Sequence, residues 1–141
     1  MTLDSFHQLF GQTVMFCQII ENDVKLIYAA MKPGDLNQNL LEVDKWTLGN
    51  TVHNLRELDY SDGKPYLSNN DYEFLLHITG IRNHYCHEVY LKFIYQDRIL
   101  TSTQFLNEYN RLKSDNAKLY TVFQTMERVR VKAMRDYNRI K

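Results

Sequence analysis

In the stretch GIRNHYCHEVYLKF, Gly80 to Phe93, the side chains able to do chemistry are Arg82, Asn83, His84 and His87. An arginine supplies a planar, permanent cation that matches a phosphate, and a histidine moves protons near neutral pH. Phosphodiester cleavage needs that pairing, one group to stabilise the crowded phosphate and one to transfer protons. Tyr85, in their midst, carries a ring able to stack on a base.

The spacing places these residues on one helix. At about 100° per residue, Leu75, Ile78, Arg82, Cys86, Val89 and Phe93 fall on one apolar stripe, with Tyr85 at its edge. Asn83 and His87, four apart, share a flank of that stripe. Arg82 and His87 are about 140° apart on an ideal helix. They are close neighbours only if the long arginine wraps or Gly80 lets the helix start or kink nearby, and otherwise converge on one phosphate from two edges of a groove. Two readings of Arg82 stand. It snorkels to the end of a bundle or pairs with a carboxylate such as Glu21 or Asp23; or its stripe opens onto a cleft where the guanidinium holds phosphate. Glu73, His77, His84 and Glu88 line the opposite side. Inward-facing carboxylates and histidines of that kind bind metals in helical bundles, but a position opposite the apolar stripe faces water, so no metal site is expected. His7 and His53 are isolated and read as surface or ordinary packed residues.

The elements that must hold this stretch read as helices throughout. Ser5-x-x-Gln8 is a capping-box signature, followed by an amphipathic run through Phe10, Cys17, Ile20, Val24 and Ile27 that KPGD at 32–35 stops. A second helical region from Leu36 falls into two pieces, with Thr47 as N-cap of the later one and Leu48, Val52, Leu55 and Leu58 on one side. SDGKPYLSNND, 61–71, is the longest loop. The spacing predicts a third helix from about Asp71 to Gln96, and Thr101-x-x-Gln104 offers another capping box. From Phe105 to Ile140 a 4-3 apolar spacing persists, which predicts one long helix with a candidate break at 114–116. No strand alternation, internal repeat or low-complexity segment stands beside these patterns. The expected fold is all-α, a single domain over 1–141 built as an up-and-down bundle of four to five helices.

Composition agrees. The 141 residues are 44% hydrophobic with only five Gly and two Pro, which excludes a disordered chain. Cys17 and Cys86 stand singly, with no ligand quartet or C-x-x-C pair, and no apolar run approaches membrane-spanning length; a reduced, cytoplasmic protein off the membrane is the expectation. The net charge is zero, but 17 Lys/Arg and 17 Asp/Glu are unevenly spread. Residues 1–81 carry 5 basic against 11 acidic side chains, and 82–141 carry 12 against 6. The basic half ends in Arg128, Arg130, Lys132, Arg135, Arg139 and Lys141, readable as a solvated helix face or as a local phosphate-binding surface.

RNHYCH, Arg82 to His87, resembles the Arg-x4–6-His motif of HEPN domains, in which a polar residue, often Asn, follows the arginine. The resemblance implies an all-α, HEPN-like fold and a metal-independent endoribonuclease of toxin or phage-defence type, needing no cofactor. It implies a homodimer whose two motifs face each other, with RNA as substrate and, in some relatives, a nucleotidyltransferase antitoxin as partner. On this likeness Arg82 contacts the scissile phosphate, His87 is the general acid/base, and Asn83 orients it or holds the phosphate. His84 and Tyr85 are lesser, substrate-binding candidates. The products implied are a 2′,3′-cyclic phosphate and a 5′-hydroxyl. The alternative is a non-catalytic helical interaction or nucleotide-binding module that docks another chain through its apolar and aromatic surface.

Overall fold

Short polar side chains and glycine turns set the helix boundaries. The computed structural model describes residues 2–140, and among them every regular element is helical. There are five α-helices: α1 (Leu3–Met31), α2 (Leu36–Val43), α3 (Leu48–Tyr60), α4 (Asn69–His87) and α5 (Thr103–Asp136). Two 3₁₀ turns, Val89–Lys92 and Ile99–Thr101, lie between α4 and α5. This is the all-α class with the expected number of helices. None of the described helices is long and apolar enough to cross a membrane.

Thr47 caps α3 as expected, accepting from Asn50 N, and Asp35 caps α2 by accepting from Gln38 N. Gly34, at φ +106°, makes the turn that ends α1. Two caps differ from the sequence reading. Thr2 rather than Ser5 caps α1: Ser5 N donates to Thr2 Oγ1 while Thr2 N donates to Ser5 Oγ. Ser102 rather than Thr101 caps α5, accepting from Phe105 N. The last helix runs unbroken through 114–116 and ends where Asn138, at φ 57°, lets Arg139 N donate back to Met134 O.

By internal contact the chain divides into two compact units. The first takes the chain up to Gln18 together with Ile78–Thr121. Its core is an aromatic cluster on Phe6, whose ring lies 5.2–5.6 Å from those of Tyr90, Phe93, Phe105 and Tyr109 in edge and tilted arrangements. Tyr85, Val89 and Leu112 complete it. Aromatic pairs of this kind add about 0.5–1.5 kcal/mol each beyond area burial. The cluster accounts for a correction: the helix expected to reach Gln96 stops at His87. Tyr90 and Phe93 both turn onto Phe6 within a 3₁₀ segment, whose bonds run from Leu91 N to Glu88 O and from Phe93 N to Tyr90 O. No Gly or Pro marks this stop.

The second unit takes Ile19–His77 and the chain from Val122 onward. Ile20, Val24, Ile27, Val52, Leu55 and Leu75 are buried there, as the helical spacing requires. Asp59, 1% exposed, fastens the 61–68 loop by accepting from Tyr66 N, Leu67 N and the Tyr72 hydroxyl. Burial and that hydrogen bond push the Tyr72 hydroxyl far above its ordinary range, so it stays a donor. Arg139 closes the end of α1, donating to the carbonyls of Ala30, Gly34 and Lys32.

Candidate active site at the end of helix α4

The RNHYCH residues occupy the last two turns of α4, and His87 is its final residue. Asn83 and His87, one turn apart, are both exposed. Arg82 is half-buried, and it already has an interaction partner within the protein. Its place on the buried side of α4 is the one expected of it, between buried Ile78 and Tyr85.

The neighbouring positions differ from the sequence reading. Cys86, expected on the apolar stripe, is exposed, and Tyr85, expected at its edge, is 2% exposed. The buried row runs Leu75, Ile78, Tyr85 and Val89, so the core lies on the Tyr85 side of Arg82 rather than the Cys86 side. The same rotation carries His84 inward. It was expected to face water with Glu73, His77 and Glu88, yet it is 5% exposed.

Two carboxylates make that burial possible. His84 Nε2 lies 2.9 Å from Glu108 of α5, whose side chain is only 13% exposed, and Nδ1 lies 3.3 Å from Glu88. A buried ring nitrogen without such a partner would cost about 1–3 kcal/mol. The Tyr85 hydroxyl donates to Asp115 on α5, and burial and this hydrogen bond push it far above the ordinary tyrosine range. Arg111 stands 3.7 Å from the same Asp115 oxygen. His84 and Tyr85 therefore pin the motif turn to α5, and the Tyr85 ring leaves no face open for a base.

Sequence reasoning missed Glu108 and Asp115. They are seven apart, each three residues after a member of the 4-3 stripe, Phe105 and Leu112. Acidic residues repeating on the flank of an apolar stripe were the available signal. Among the described residues no three His, Cys, Asp or Glu side chains gather as a group that could hold a metal ion.

Of the basic C-terminal residues, Arg130 and Arg139 serve the fold. Arg130 Nε is 3.0 Å from Asp23 Oδ1, close enough to pair but out of line for a hydrogen bond, and Nη2 is 3.8 Å from Glu127. Arg128, Lys132 and Arg135 are exposed, and Lys141 lies outside the described residues. Compared with known proteins, the chain matches no family model, no curated protein and no solved structure.

Proposed function

We propose that this chain is a metal-independent endoribonuclease of HEPN type, cleaving RNA by 2′-hydroxyl attack at a site shared by two copies. The observation that carries the reading is the exposed pair Asn83 and His87, one turn apart at the end of α4, with Arg82 beside them in sequence. His87 in its neutral form takes the proton of the 2′-hydroxyl, whose oxygen attacks the adjacent phosphorus. The P–O5′ bond breaks, and the leaving oxygen takes a proton from a histidinium, leaving a 2′,3′-cyclic phosphate and a 5′-hydroxyl. Asn83 orients His87 or holds a phosphate oxygen. Arg82, already held by the protein, stabilises the phosphate from a fixed position rather than as a mobile side chain. One copy offers one Arg82 and one His87; a two-fold pair brings two of each to one groove. A nucleotidyltransferase antitoxin is a partner consistent with this reading.

A second reading has its own observation. Leu91, Ile94, Tyr95 and Leu100 are exposed in the segment that follows α4, Tyr95 by 83%. An exposed apolar group of this kind suits a helical module that docks another protein without catalysis.

The test is incubation with structured and single-stranded RNA in EDTA. Cleavage is expected without added metal, with 2′,3′-cyclic phosphate ends, and replacement of His87 by alanine is expected to reduce it roughly 10²–10⁴-fold. Activity that appears only with a divalent ion, or that survives His87→Ala, contradicts the reading. No cleavage together with stable capture of a protein partner favours the docking module.

A further inference from the structure

Arg128, Lys132 and Arg135 fall at i, i+4 and i+7 on α5, all exposed on one stripe. Arg128 and Lys132 border two surface recesses, of about 530 Å³ and about 660 Å³, and Arg135 borders the larger. The smaller is closed on its other side by the 62–66 loop, which brings Lys64 and Tyr66. Among the described residues Arg128, Arg135 and Lys64 form no ion pair, in contrast to Arg130 two positions away on Asp23. Lys132 stands over the Tyr66 ring, 5.7 Å from its centroid, and the Tyr66 hydroxyl donates to Asp136 at 2.7 Å. The loop and the cationic row are thus held together by contacts that leave the charges of Arg128, Arg135 and Lys64 unspent.

We infer that this row is a binding strip for the phosphate backbone of single-stranded RNA, separate from the Arg82–His87 motif. Successive cations are about 6 Å and about 4.5 Å apart along the helix axis. That is a line of charge, suited to a chain of phosphates rather than to one small anion. Two of the three are arginines, whose forked donors match phosphate oxygens. The acidic residues of the two recesses, Asp62, Glu127 and Asp136, flank the row and reduce its net charge. Binding is therefore expected to be weak and strongly salt-dependent. The strip does not depend on the ribonuclease reading, because a chain that never cleaves RNA would still bind it here.

Binding is measured by fluorescence polarisation with a short, labelled, single-stranded oligoribonucleotide in the His87→Ala background, so that cleavage plays no part. Three cations meeting three phosphates contribute about −2 to the slope of log K against log salt, at about −0.7 per phosphate. In the triple variant Arg128→Gln, Lys132→Gln, Arg135→Gln that slope is expected to become shallower by about 2, with affinity at low salt falling at least ~10-fold. The charge-keeping variant Arg128→Lys, Arg135→Lys should retain the slope, and an unchanged melting temperature in both variants shows that the fold is intact. Unchanged affinity and slope in the triple variant overturn the inference. So does a strip that ignores RNA while binding polyglutamate or anionic lipid vesicles.

Discussion

Replacing Asp23 by asparagine is expected to stabilise the protein at neutral pH and to do so more strongly as pH rises. Asp23 lies on α1, 3% exposed, with Arg130 Nε 3.0 Å from one oxygen and no hydrogen-bond partner for the other among the described residues. Burial pushes its carboxyl up from 3.8 to about 6, against the opposing pull of Arg130 and with a smaller push from Glu127. Between about pH 4 and pH 6 the folded chain therefore keeps a proton that the unfolded chain has lost. Stability from this group is intact below that window, falls as pH rises through it, and is fully lost above it. A rise of about two units corresponds to about 3 kcal/mol. Asparagine cannot ionise, so it escapes that loss, and the pull of Arg130 is already contained in the raised carboxyl value. The net expectation is a gain of up to about 3 kcal/mol at pH 7.5 and of about 1 kcal/mol or less at pH 4.5. Urea denaturation of both chains across that range measures the difference directly. An advantage that is absent at pH 7.5, or that shrinks as pH rises, refutes the reasoning.

The His84 anchor gives a contrast within one residue's contacts. Glu108→Ala, which strands a buried ring nitrogen, is expected to cost about 1–3 kcal/mol in denaturant unfolding, whereas Glu88→Ala, 61% exposed, costs under about 1 kcal/mol; equal losses would show that Glu108 is not the anchor. Asp59→Asn turns one acceptor oxygen into a donor facing groups that themselves donate, so about 2–4 kcal/mol of stability should go, and limited proteolysis should begin within 61–68. Resistance of that loop in the variant would contradict the role given to Asp59.

Much of the helical frame was legible because its signals are local. Thr47 as a cap, the stop at KPGD and the unbroken 4-3 spacing of α5 each depend on residues within one or two turns. The end of α4 was not legible, because the apolar spacing through Val89 and Phe93 continues past the point where the backbone leaves the helix. The deciding contacts are with Phe6, more than eighty residues away. His84 was misplaced for a related reason. The stripe through Arg82 allowed either Tyr85 or Cys86 to face inward, and the choice was made by Asp115 and Glu108 on another helix. Composition could not weigh that choice. That Asn83 and His87 share one side of α4 needed only the helical period; both are exposed, and the turn of the core toward Tyr85 takes them off the flank of the buried row.

The central claim is that the Arg82 and His87 of two copies form one cleaving centre, and mixing two disabled chains tests it most directly. Arg82→Ala and His87→Ala proteins, each inactive alone, are unfolded together, refolded as a mixture and assayed on RNA in EDTA. The account predicts that the mixture regains part of the activity, from paired chains in which one copy supplies the arginine and the other the histidine. A mixture that stays as inactive as either chain, although the two demonstrably pair, would contradict it.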